Sequence, residues 1–176
     1  MTATLKDLLA EYDRSISWTD SLWTDLTNEQ VVWRPGPESS AIGWHLGHQA
    51  AVAHFMVRNL TAAEQSPDPE LDSLMDSATP EKNRGDLPDV TRIGDYRTSV
   101  AERVHYWVDQ IDAGNVGAPN QLRIIAGGLL IAVINHEYQH SKWIGEVRNV
   151  AHGLDVPAEP TSPLLSTLDG YTVIGA

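Results

Sequence analysis

Four stretches of this chain repeat apolar residues every three to four positions, and prolines, glycines or both interrupt the chain between them. A period near 3.6 gathers those residues on one stripe of an α-helix. Four stripes of this length must be buried against one another, which predicts an all-α protein built as a four-helix bundle. The first stretch runs from about Thr4 to Leu26 and stripes Leu5, Leu8, Leu9, Tyr12, Ile16, Thr19, Trp23 and Leu26. Pro35 and Pro37 then stop any helix, and Ser39 or Ser40 offers an N-cap for the next. That second helix, from about Ala41 to Ala62, aligns Trp44, His48, Ala51, Val52 and Phe55. A third begins near Thr91 with Ile93, Tyr96, Val100, Val104, Trp107 and Ile111 in register, and Gly114, Gly117 and Pro119 end it. The fourth, from about Gln121 to Val150, carries Ile125, Leu129, Val133, His136, His140, Trp143 and Val147, with Gly153 placed to terminate it.

Two segments have no such period. The long acidic connection from Glu64 to Val90 holds Pro67, Pro69, Pro80 and Pro88 and reads as a solvated, irregular loop. The tail from Leu154 to Ala176 holds three prolines before an apolar end, and reads as irregular chain lying across the bundle or at a homodimer interface. No alternating run is long enough to predict a sheet. The expected organisation is one bundle over residues 4–153 followed by a tail, 154–176.

Charge and composition remove several functions. With 24 acids against 12 bases the formal charge is -12, and no basic stripe is present to displace counterions from phosphates, so a nucleic-acid partner is not expected. There is no cysteine, which excludes disulfides, thiolate metal ligands and a cysteine nucleophile; a thiol can enter only as a substrate. No run approaches the roughly 20 apolar residues of a membrane span. The first residues, MTATLKDLLAEYDR, carry acids early and lack an apolar signal core, so a cytoplasmic protein is expected.

The sharpest local pattern is HEYQH at residues 136–140. His136 and His140 are four apart, so on a helix both rings leave one face and can grip one ion. His48 falls on the second helix's apolar stripe as these two fall on the fourth. A polar ring facing a core costs on the order of 1–3 kcal/mol unless it is paired. Three such rings satisfy one another by sharing a divalent metal, zinc first, with nickel or iron as alternatives. His45, three residues before His48, could exchange roles with it. His54, His105 and His152 lie off the stripes and read as surface residues.

HEYQH also fits the short zincin protease pattern, in which the glutamate activates metal-bound water. Trp143 stands where the extended motif wants a turn glycine, and no sheet is expected to arrange a substrate, so a metal-dependent hydrolase is the lesser alternative. Glu137 lies about 100° round the helix from His136, which suits a residue behind the ligands or a solvated glutamate. Tyr96 could donate a hydrogen bond to the site or fill core. Arg148 could bind a substrate carboxylate or pair with an acid, and the pairing is favoured.

At these residues the chain resembles the DinB/YfiT-like superfamily of small metal-binding bundles. The resemblance rests on Trp33-Arg34-Pro35, on the segment from Ser40 to His48, and on His136 and His140 followed by Arg148, and it spans about residues 4–153. It implies that His48, His136 and His140 are the ligands of zinc or a similar divalent ion. It also implies transfer or isomerisation chemistry that depends on a small thiol such as mycothiol or bacillithiol, with an electrophilic co-substrate. Three neutral ligands leave zinc an open fourth position, where a thiol would lose its proton and become a nucleophile. Related domains in ergothioneine-type sulfoxide synthases carry a glutamate two residues after the second histidine of the pair. This chain has Lys142 there, which disfavours that route. A non-enzymatic protein that binds a metal or small ligand is the competing class.

Overall fold

The computed structural model describes residues 3–61, 64–83 and 85–175. It is mainly helical, as the apolar periods predict. Helix α1 (Leu5–Ser21) starts at a capping box in which Thr4 Oγ1 accepts from the Asp7 amide while the Asp7 carboxylate accepts from the Thr4 amide. It stops at Ser21, short of the expected Leu26. Leu22 and Leu26 remain buried through the turn that follows, so the apolar spacing outlasts the helix. A second capping box, Thr27 with Gln30, starts the short α2 (Asn28–Val32).

Helices α3 (Ile42–Thr61), α5 (Val90–Ala113) and α6 (Pro119–His152) correspond to the other three periodic stretches. Pro119, expected to close the third, instead opens α6 at its first turn, where the missing amide hydrogen is no loss. Gly153 ends α6 in the left-handed region.

The acidic connection is not wholly irregular. It folds a helix α4 (Pro69–Leu74), capped by Asp68, and one 3-10 turn (Glu81–Asn83). Arg92 of α5 holds Asp68 through two hydrogen bonds of 2.7 and 2.8 Å and reaches Glu70 at 2.9 Å. Leu71 and Met75 are fully buried beneath α4, each contributing about 1.5–3 kcal/mol by the usual transfer estimate. A six-residue helix is too short to show a period, and its opening proline reads as a breaker.

The tail also departs from expectation. Strands β1 (Leu165–Leu168) and β2 (Tyr171–Ile174) form an antiparallel hairpin in which Leu168 faces Tyr171 across the two-residue turn Asp169–Gly170. Both turn residues have positive φ, 51° and 82°, as this tight hairpin turn requires. Strand β2 packs on α6, and the Ile174 amide donates to Asn135 Oδ1 at 2.7 Å.

Helix α3 packs on both α5 and α6, and α1 packs on α6, whereas α1 and α5 barely touch. Leu8, Tyr12, Leu46, Met56, Val100 and Leu130 are among the residues that fill the interior. Phe55 and Ile125, assigned to core stripes, are 55% and 50% exposed, and Phe55 borders an open cleft. Arg148 is paired, as favoured. It donates to both carboxylate oxygens of Asp25 at 2.6 and 2.8 Å, to the Leu22 carbonyl at 3.1 Å and to the Asp155 carbonyl at 2.7 Å. One guanidinium thus joins the end of α1, helix α6 and the start of the tail. Replacing it with alanine is expected to destabilise the fold by about 2–3 kcal/mol, because charged hydrogen bonds are lost and buried carbonyls orphaned. Arg148→Lys should recover only part of that in urea denaturation; an alanine variant as stable as the parent would show the tie to be idle.

Candidate metal centre

The α3–α6 contact carries the histidines. Residues on α3 at positions 45 and 48, and on α6 at 136 and 140, project into one space because spacings of three and four share a helix face. His48, His136 and His140 each place one ring nitrogen within 4.8 Å of the other two, which could hold a metal ion. His48 Nε2 and His136 Nε2 stand 3.3 Å apart. Two ligands at zinc's usual 2.0–2.1 Å and a tetrahedral angle are separated by about 3.3–3.4 Å, so the spacing fits the ion.

The outer nitrogens of His48 and His140 are engaged. His48 Nδ1 donates to the Met75 carbonyl at 2.7 Å. A carbonyl only accepts, so the proton sits on Nδ1 and Nε2 presents a lone pair to the cluster. His140 Nδ1 lies 2.8 Å from His45 Nδ1, leaving His140 Nε2 to face inward. His45 therefore stands behind a member of the cluster instead of in it. Met75 reaches His48 because α4 lies on α3 at Gly47, where a β-carbon would come within 2.5 Å of the Met75 Cε.

Aromatic rings wall the cluster. Trp44 stacks on His48 at 4.5 Å and 11°, and Trp143 meets His140 edge-on at 4.8 Å. Tyr171 of the hairpin approaches Trp143 in turn, at 6.4 Å. This burial favours the neutral forms of His136 and His140. His136 is pushed down to about 4, by burial first and then by His48; His140 is lowered by burial and by His136, His45 and His48.

The remaining candidates are placed elsewhere. Glu137 is neither a solvated helix residue nor aimed at the histidines. It is 3% exposed, and its carboxylate accepts from Thr19 Oγ1 at 2.8 Å and from the Arg97 guanidinium at 3.0 Å. A zincin-type base would have to face the metal, and this carboxylate is turned instead to Thr19 and Arg97. Tyr96 donates to Asp72 of α4, away from the cluster. His54, read as a surface residue, is 2% exposed, with Nδ1 3.8 Å from Asp72. His105 stays partly exposed against Asp13, and His152 bonds the Gln30 carbonyl at 3.2 Å.

Two polar residues that the sequence did not mark set the spacing. Gln49, next to His48, donates to the Glu137 carbonyl at 2.9 Å and to Ser141 Oγ at 3.1 Å, residues adjacent to His136 and His140. Arg97 in turn holds the Leu46 carbonyl and Gln49 Oε1. On the other side of His48, a cleft of about 940 Å³ opens between α3 and the α4 segment, lined by Val52, Phe55, Arg58, Ser66, Ser73 and Asp76 among others. None of the helices is long and apolar enough to cross a membrane among the described residues.

The family model of the DinB superfamily matches residues 11–144, and the chain belongs to that superfamily. No curated protein matches it.

Zinc affinity should fall steeply in His48→Ala, His136→Ala and His140→Ala, and stay near the parent value in His152→Ala; chelator competition measures it. Retained affinity in all three would refute the cluster as a metal site. Neutral rings also make the metal-free fold sensitive to acid. The unfolded chain protonates histidine below about pH 6.5, whereas folded His136 resists until about 4, so stability falls as pH drops through that window. Denaturation at pH 7.5 and 5 should therefore show a smaller loss in His136→Gln than in the parent, and an equal loss would contradict it.

Proposed function

We propose that this DinB-superfamily chain is a thiol-dependent S-transferase that holds one divalent ion, zinc in the first instance, through His48, His136 and His140. The observation that carries the reading is the 3.3 Å separation of the Nε2 atoms of His48 and His136, with His48 Nδ1 held on the Met75 carbonyl. The four long helices are read as the four-helix bundle of residues 4–153, with 154–176 as a tail that completes the outer wall through Tyr171.

When bound at three neutral ligands, such an ion supplies a Lewis-acid position at which a thiol gives up its proton. The chain's own residues do the rest. The Met75 carbonyl keeps the His48 proton on Nδ1, and His45 occupies His140 Nδ1, so ring orientation is set before any substrate arrives. Trp44 and Trp143 exclude water from the rings. The cleft beside His48 offers hydroxyls at Ser66, Ser73 and Ser77 and the Arg58 cation to the polar body of a small thiol such as mycothiol or bacillithiol. The sulfur would then form a bond to an electrophilic carbon of the second substrate as that carbon's bond to its leaving group breaks; the leaving group departs with the bonding pair, and the thiol's proton passes to it or to solvent. Glu137 and Tyr96, candidates for catalysis by position, act in this reading as structural groups held by Arg97 and Asp72.

The test is conjugation of mycothiol, bacillithiol, glutathione, coenzyme A and cysteine to monochlorobimane by metal-free and zinc-loaded protein. Activity with one of them should vanish on chelation, return with zinc and persist well below the free thiol's pKa of about 8.5. Equal rates for both forms with every thiol would favour a protein that only binds metal.

A further inference from the structure

The weak α1–α5 contact leaves a pocket of about 540 Å³ that is lined by none of His48, His136 and His140. Its size is that of a small-molecule site. Ile16, Trp23, Ala50 and Ala101 form its apolar walls, and Gly94 lets the Trp23 ring lie against α5, since a β-carbon there would come within 3.2 Å of it. The floor is polar. Arg97 and Glu137 meet there, and Arg97 Nε is buried without a hydrogen-bond partner although both terminal nitrogens are used. The Tyr12 hydroxyl lines the same floor and makes no hydrogen bond with the described residues; burial and the nearby Glu137 charge keep it protonated.

We infer that this seam is a second binding site, for a small, uncharged, largely apolar molecule with one hydrogen-bond acceptor, such as a carbonyl or carboxamide, directed at Arg97 Nε and Tyr12. Two donors without acceptors call for an acceptor on the ligand. Its charge follows from the surroundings. Glu137 at 3.0 Å and Asp20 at 3.8 Å already compensate Arg97, and Glu102 adds a further negative charge, so an anion is disfavoured; a cationic head would face the two N–H and O–H donors with no acceptor to receive its own hydrogens. A neutral head avoids both, and Trp23 and Tyr12 supply flat surfaces for its body. The site is independent of the metal reading, because its floor uses the face of α6 that carries Glu137, not that of His136 and His140.

Three probes with one ring and different heads test it: benzamide, benzoate and benzylammonium. They are titrated into the full chain, with and without zinc, while the Arg97 Nε–H and Trp23 Nε1–H cross-peaks are followed by ¹H–¹⁵N NMR. Benzamide should move both peaks and saturate with a dissociation constant of about 1 mM, as expected for so few atoms. The charged probes should bind at least about tenfold more weakly, and zinc should change nothing. Tyr12→Phe should weaken benzamide roughly threefold or more by removing one donor, and Ala101→Phe should abolish the shifts by filling the pocket. No saturable shift up to about 20 mM, well beyond that expected constant, would overturn the inference and leave water as the acceptor. So would equal binding of all three heads, or unchanged binding in Ala101→Phe. Loss of zinc binding alongside intact benzamide binding would count against the metal reading alone.

Discussion

The ion pair between Arg97 of α5 and Glu137 of α6, at 3.0 Å and almost wholly removed from solvent, is the contact from which the interior is arranged. Two charges so placed cost several kcal/mol each in lost hydration, and their attraction offsets that only when the remaining donors and acceptors are also satisfied. Here Thr19 of α1, Gln49 and the Leu46 carbonyl of α3 complete most of the set. Four helices are thereby committed to one mutual register. A slip of α6 by one residue would strand the glutamate and unpair the arginine. It would also carry His136 and His140 away from His48, since Gln49 grips the backbone beside the first and the hydroxyl beside the second.

Much of this could be read from the sequence and some could not, for physical reasons. The long helices announce themselves because each has a solvent side against which a stripe stands out. Helix α3 lacks one over its first half: Ile42 through Ala50 are buried all round, between α4, α5 and α6. A single-stripe reading turns His48 inward, as it is, but beyond Ala50 the buried side is carried by Ala53, His54, Met56 and Val57, so that reading misjudged His54 and Phe55. Gln49 and Arg97 left no signal, and Glu137 was marked without its true partners, because a buried polar residue looks like an exposed one until its partners on other helices are known. Helix α4 was hidden by its length. The hairpin was legible in principle: Asp169–Gly170 between two four-residue runs is the strongest short-range turn signal there is, but three prolines ahead of it give the tail the composition of irregular chain.

The acidic connection shows why composition is a weak guide to burial. Several of its acids pair with Arg92, Arg103 or Tyr96, while Leu71 and Met75 turn inward. The same segment that gives the chain its negative surface delivers a single carbonyl to His48. Ring orientation on α3 is thus controlled by a loop distant in sequence, and the fixed hydrogen leaves only one nitrogen available to the interior.

His48 and His136 are separated by 88 residues, and the segment between them includes α4 and all of α5. An ion shared by the two would close that whole span into a covalent-like ring. By the chain-entropy estimate used for disulfides, constraining a loop of this length removes about 4–5 kcal/mol of freedom from the unfolded chain. A protein without a single cysteine would then possess, in three imidazoles, a staple it cannot make from sulfur, one that is set and released by metal supply instead of by oxidation.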